Sequence, residues 1–171
     1  MANRVPERLN TYNCYADGAK LIGLVDVELP KPESFSEEVS GAGLAGAYES
    51  PTIGHFKSMT VKLNFRTVTD QFAQLLEPRY HLLELRAAMQ VQDSGLGTLM
   101  QKGYQITLRA MPKAPDFGKM ETGKPTGDSF EMEVVYMKVV FDGKEIMMID
   151  KPNFVYRVNG VDYLKEVRDL T

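Results

Sequence analysis

Along 59–66 apolar and polar side chains alternate: Met59, Val61, Leu63 and Phe65 against Thr60, Lys62, Asn64 and Arg66. Successive side chains of an extended chain point to opposite faces, so this stretch reads as a strand with one face in a core and one in water. The same period runs through 104–110. It also runs through 21–29, where Leu21, Gly23, Val25, Val27 and Leu29 share a face; with 9–15 across an Asp17-Gly18 turn, that stretch predicts a hairpin. The run 80–92 fits two periods. Leu82, Leu83, Leu85, Ala87, Ala88 and Met89 suit a helix, whereas Leu83, Leu85, Ala87, Met89 and Val91 alternate, and the flanks Pro78 and Gly95 favour a strand. Thr69 or Asp70 is placed to cap a helix that runs to Glu77, with Phe72, Leu75 and Leu76 facing the sheet and Pro78 ending it.

The stretch 130–170 is the most informative. Asp142-Gly143 separates the apolar runs 132–141 and 145–149, and Asp-Gly supplies the positive φ angles of a tight type I′ hairpin. Lys151-Pro152-Asn153 breaks the second run and a third strand follows at 154–158. Asn159-Gly160 ends it. Val161, Leu164 and Val167 then recur at helical spacing beside Lys165, Glu166, Arg168 and Asp169, with Asp162 placed to cap the helix or to favour its positive end. Val134-Val135, Val139-Val140-Phe141 and 146–149 are apolar on both faces, so both faces need cover, from a helix or from another subunit.

Between these elements lie a turn at 93–97, a loop at 33–56 and a polar excursion at 111–129, rich in proline, glycine and charge. A loop of some two dozen residues far exceeds the usual ~4 to 6 and implies function or disorder, and its Phe35, Val39, Leu44, Tyr48, Ile53 and Phe56 imply ordering against something. The expected architecture is one domain over 1–171, mainly β or α+β: an antiparallel sandwich or barrel of about seven or eight strands, one mid-chain helix and a short terminal helix.

The order Asp142-Gly143-Lys144-Glu145, Asp150, a short strand, then Asn159-Gly160-Val161-Asp162-Tyr163-Leu164 and Arg168 closely resembles the end of the major tail tube protein of contractile-tailed bacteriophages and R-type bacteriocins. Gly41-Ala42-Gly43-Leu44 and Tyr136 fall where that family has a glycine-alanine-glycine-hydrophobic loop and an aromatic residue on the penultimate strand. The resemblance implies a strand over 80–92 and a β-sandwich or barrel subunit that stacks in six-fold rings around a DNA channel. It further implies an inter-subunit contact through the 33–56 loop, on Phe35, Glu38, Gly41, Gly43, Leu44, Gly46 and Tyr48, with Asp142, Gly143, Asn159, Gly160 and Asp162 shaping turns. The partners implied are further copies of the chain, a tail sheath protein, a tape-measure protein, baseplate and tail terminator proteins, and DNA in transient, non-specific passage. The expected place is the virion's tail tube, after synthesis in the host bacterial cytoplasm. The tube of a related injection or secretion apparatus shares the architecture. The family commonly ends in a glycine-leucine tail, whereas this chain stops at Leu170-Thr171, so an end contact made there is expected to differ.

Composition narrows the alternatives. Of 171 residues 43% are hydrophobic and 25% charged, ordinary for a globular chain with a real core. Cys14 is the single cysteine, which excludes an internal disulfide and fits a reducing site of synthesis. The N-terminus has no apolar leader pattern, and no window approaches the ~18 to 20 apolar residues of a membrane helix, so a soluble chain is expected. A net charge of −3 without a basic block argues against a protein that grips phosphates.

Candidate chemistry is thin. Gly41-Ala42-Gly43-Leu44-Ala45-Gly46 matches a dinucleotide fingerprint in letters only, for no strand feeds it and no helix opens from it. His55 and His81 lack ligand or base partners by any motif, Glu37-Glu38 reads as a solvated pair, and the spacing of Asp142, Asp150 and Asp162 matches no calcium loop. No nucleophile elbow or phosphate-binding loop is present, so neither enzyme activity nor cofactor, metal or small-molecule ligand is expected. A monomeric β-sandwich binding module would need aromatic platforms; the chain has no tryptophan, and its eight tyrosines are scattered.

Overall fold

A computed structural model of the chain describes residues 4–93, 95 and 97–171. Residues 1–3 of the N-terminus, and Ser94 and Leu96 of the expected 93–97 turn, lie outside the described residues. In chain order the elements are β1 (Arg4–Ala16), β2 (Ala19–Lys20), β3 (Leu24–Glu28), β4 (Ser34–Val39), β5 (Tyr48–Phe56), β6 (Thr60–Phe65), α1 (Asp70–Gln74), β7 (His81–Asp93), β8 (Thr98–Asp116), β9 (Ser129–Phe141), β10 (Lys144–Asp150), β11 (Val155–Val158), β12 (Val161–Asp162) and α2 (Lys165–Leu170). The chain is mainly β, 59% strand and 7% helix, as its period-two runs require.

The large sheet runs β12-β11-β10-β9-β8-β7-β1-β2, all antiparallel. β9 is its branch point. One of its edges pairs with β8 throughout; the other pairs with β6 over 129–133 and with β10 over 136–141, and β3 continues outward from β6. The sheet therefore folds over itself, and the inward faces of β6, β7, β8 and β9 meet in one core of Val61, Leu63, Leu83, Leu108, Phe130 and Met132, all 0% exposed. The uninterrupted alternation in β6 puts Val61, Leu63 and Phe65 there and leaves Thr60, Lys62 and Asn64 half-buried on the other face.

α1 closes one end of this core. Thr69 Oγ1 accepts a hydrogen bond from Phe72 N at 3.2 Å, satisfying one of the donors a helix start leaves open. The Phe72 ring is fully buried and meets Phe65, Phe130 and Phe117 edge-on, at centroid distances of 5.3, 5.5 and 5.8 Å. The helix stops at Gln74, three residues short of the expected Glu77. Leu75 remains in the core, but Leu76, beyond the last helical residue, turns outward.

Several expectations change. The 9–15 and 21–29 runs do not form a ladder with each other: β1 pairs with β7 and meets β2 only at Tyr15 and Ala16, while β3 pairs with β6. A register shift between Leu24 and Asp26 also breaks the assumed face, leaving Val25 exposed. The 33–56 segment is not an unstructured loop; β4 and β5 make a separate two-stranded sheet, whose composition hid it because little of it is buried. The polar excursion starts later than 111, because β8 runs on to Asp116 alongside β9. At the C-terminus the expected apolar helical face is absent: Val161 lies in β12, Leu164 precedes the helix and is the buried member, and Val167 is exposed. The ambiguous 80–92 run is a strand, paired with both β1 and β8.

Candidate assembly surfaces

The turns that place these strands are built from their residue types. Asp17-Gly18, Asp142-Gly143 and Asn159-Gly160 each have both residues at positive φ, 50° and 86°, 50° and 78°, 49° and 83° respectively, and each is the two-residue link of a hairpin. Such backbone matches strand twist, and Gly adopts it without strain. Asp142 and Asp150 pair with Lys102 and Arg109 at 2.5 and 3.3 Å, and Asp150 also accepts from Asn153. Asp162 accepts from Leu164 N at 3.0 Å and from Arg168 at 2.6 Å, so it orders the approach to α2 from outside the cap position. That Arg168 hydrogen bond, opposed by a little burial, holds the Asp162 carboxyl below its ordinary range.

The β4–β5 hairpin carries the residues singled out for a subunit contact. Phe35 and Glu38 lie on β4; Gly41, Gly43, Leu44 and Gly46 occupy the tip between the strands; Tyr48 opens β5. The hairpin brings them onto one projecting element, where Phe35, Leu44 and Tyr48 are 47%, 46% and 54% exposed. Gly43 has φ 98°, which a side chain would strain; a Cβ at Gly41 or Gly46 would meet nothing of this chain. Glu38 lies directly across from Glu49, a like-charge pair that opposes strand pairing, while Ser36 Oγ donates to Glu49 at 3.0 Å.

The hairpin's root escaped sequence reasoning. Gly54, with φ 75°, lies so close to Leu164 that an added Cβ would sit 2.4 Å from that side chain. His55 packs edge-on against Phe154, Phe56 packs against Tyr156, and Lys57 pairs with Glu33. The available signal was a glycine inside a strand-like run, which marks close approach of a neighbouring segment.

The outward face of the large sheet is polar and ion-paired. Glu84 and Arg86 pair at 2.5 Å, Lys138 and Arg157 approach Glu145 at 3.7 and 3.2 Å, and the Arg109 guanidinium lies over the Tyr136 ring. Thr107 and Gln105 lie between the β7 and β9 groups, and Asn13 flanks Arg86 on β1. Val140 and Met148 on this face are half-buried, so the second apolar face expected for these strands is broken up by Lys138, Glu145 and Arg157. His81 is a satisfied core histidine: Nδ1 lies 2.8 Å from Asp17 Oδ2 and Nε2 lies 3.2 Å from Glu77 O, beneath the β1–β2 turn.

The model of the family of phage tail tube protein FII matches residues 6–170, nearly the whole chain. The chain belongs to that family. The major tail tube protein of Serratia phage KSP20 is 24% identical over 157 residues, covering 91% of this chain and 90% of that protein. The tail tube protein of Escherichia phage P2 is 25% identical over 167 residues, 96% of each. Among solved structures, a chain of the extracellular contractile injection system PVC, from its sheath/tube terminator in the extended state, superposes with a TM-score of 0.54 at 12% identity, covering 80% of this chain and 96% of that one. That likeness is one of fold. Tail tube proteins of this family are structural components of the virion, so the tube resemblance read from 142–168 holds at the level of family and fold.

Proposed function

We propose that the chain is the major tail tube subunit of a contractile tail. Identical copies close into hexameric rings, the rings stack into a tube, and the tube conducts DNA into the host. The full-length family match carries this reading. The fold is compatible with it: β3, and β1 from Val5 to Asn13, each keep an edge without a strand partner among the described residues, and edges that invite aggregation in a lone subunit become joints in a closed ring. The ion-paired outer face of the large sheet suits a channel wall, because cations already neutralised by carboxylates release few counterions to a passing polyanion. The subunit acts as one domain over 1–171. It works by assembly, without catalysis, cofactor or small-molecule ligand. Phe35, Glu38, Gly41, Gly43, Leu44, Gly46 and Tyr48 meet another subunit.

Its partners are further copies of itself, a sheath protein outside, a tape-measure protein inside during assembly, and baseplate and terminator proteins at the ends. It is synthesised in the host cytoplasm and ends in the virion. The test is negative-stain electron microscopy across a concentration series, with sedimentation velocity alongside. Hollow tubes or rings of constant diameter with six-fold end views support the reading. A monomer at every concentration, unchanged when pre-formed baseplates are supplied, overturns it.

A further inference from the structure

Two bare strand edges face each other on this subunit. From Val5 to Asn13 the β1 edge remote from β7 pairs with no strand among the described residues, and β3 pairs only with β6. Between them runs an open cleft of about 630 Å³ along 9–14 and 20–25, bridged where Tyr12 Oη donates to Val25 O at 3.3 Å. Behind it, Leu9, Tyr12, Val27, Leu29, Leu85 and Tyr104 line an apolar pocket of about 160 Å³. Unsatisfied edge amides and carbonyls over an apolar floor are the acceptor half of a strand-addition contact.

The donor half is the β4–β5 hairpin. Its root packs on Leu164, Phe154 and Tyr156, beside β11, β12 and α2, whereas the cleft is lined by residues 9–14 and 20–25. The hairpin exposes Phe35, Leu44 and Tyr48, and Gly41 and Gly46 answer to no contact within their own chain. Two cations offer the hairpin's glutamates partners, although Asp26 also lines the pocket and Glu7 and Glu28 lie on the same strands, β1 and β3. Residues 34–54 hold Glu37, Glu38 and Glu49 and no lysine, arginine, aspartate or histidine, with Glu38 and Glu49 opposed. Arg8 and Lys20, on the margins of the cleft, have no carboxylate partner among the described residues.

We propose that the β4–β5 hairpin of one copy seats in the β1–β3 cleft of the next, its tip side chains filling the apolar pocket and its glutamates meeting Arg8 and Lys20. The inference rests on the tube reading above and names the joint that reading leaves open. Donor and acceptor are different surfaces, so the contact is head-to-tail and propagates from copy to copy, closing where the rotation allows.

The test uses two full-length variants in a Cys14→Ala background, Val25→Cys in the cleft and Leu44→Cys at the tip, both at exposed positions. They are mixed, assembled and mildly oxidised, then compared with each variant alone. The expected result is a disulfide-linked dimer on non-reducing gels from the mixture only, together with tubes by microscopy. Tubes without that dimer overturn the seating while leaving the tube reading intact. The dimer without tubes supports the seating and counts against the tube. Neither product, with pre-formed baseplates supplied, overturns both. As an independent check, Leu29→Glu, at a pocket-lining and part-exposed side chain, leaves the thermal unfolding of the subunit unchanged and raises the concentration needed for assembly about tenfold. Assembly of Leu29→Glu at the unsubstituted chain's concentration overturns the role of the pocket.

Discussion

At the scale of single residues, Gly54 is where the hairpin and the C-terminal segment constrain each other. Gly54→Ala places a methyl group into Leu164 at a positive-φ position, and a cost of about 1–3 kcal/mol is expected, read as a lower urea midpoint at unchanged slope. Gly41→Ala, with open space around it, leaves that midpoint unchanged. Cys14 is 2% exposed and burial pushes its thiol up to about 12. Native protein at pH 8 should therefore react with a thiol reagent slower than denatured protein by on the order of a thousandfold, since only the thiolate attacks. Asp17 gives the acid limb of the stability curve. Partial burial works to raise its pKa, but hydrogen bonds from Leu82 N and His81, with the charges of His81 and Arg79, hold it below the ordinary 3.8. A depressed carboxyl stabilises the fold above its unfolded value and loses that contribution as pH falls from about 4 through the lower folded value. Asp17→Asn should be less stable at pH 7 and show a shallower loss below pH 4 in thermal unfolding.

Among the elements, α1 works as a plug more than as a helix, since five residues carry little intrinsic stability and Phe72 supplies the anchor. Phe72→Ala removes three ring contacts from a sealed site, and a loss of about 3–5 kcal/mol is expected from chemical denaturation. Its existence was legible because Thr69 caps and Phe72 and Leu75 recur at helical spacing. The strands with one buried face were legible for the same kind of reason: β6 and the middle of β8 alternate because water and core select opposite residues at each step. β4 and β5 were illegible because that selection is missing, with no member of either strand fully buried in the subunit. The turns could be read from Asp-Gly and Asn-Gly, whose geometry is local. The partner of each strand could not: β3 choosing β6 over β1 is decided by contacts some forty residues away. The same limit hid Gly54, whose reason lies at Leu164.

For the whole molecule, the hairpin tip and the body should separate cleanly. Val39 pairs with Tyr48, so replacing 40–47 by Asn-Gly supplies a two-residue turn in register. That variant should unfold within about 2 °C of the parent, since a substitution in an exposed tip leaves stability nearly unchanged, and should form no tubes under conditions where the parent does. Normal tubes from it would remove the tip from the assembly contact. The branch at β9 has a separate consequence, for the order in which the chain can fold as it is made. β6 and β8 both wait for 129–141, and β10 cannot pair before that strand exists, so three registers close on one late segment. A nascent chain halted near residue 128 holds β6 and β8 each paired on one side only, β6 with β3 and β8 with β7, and lacks the strand that carries Phe130, Met132 and Val134 into the core. Translation past Phe141 is therefore the event that commits the subunit, and shorter fragments should be cleared by proteases while the full chain persists.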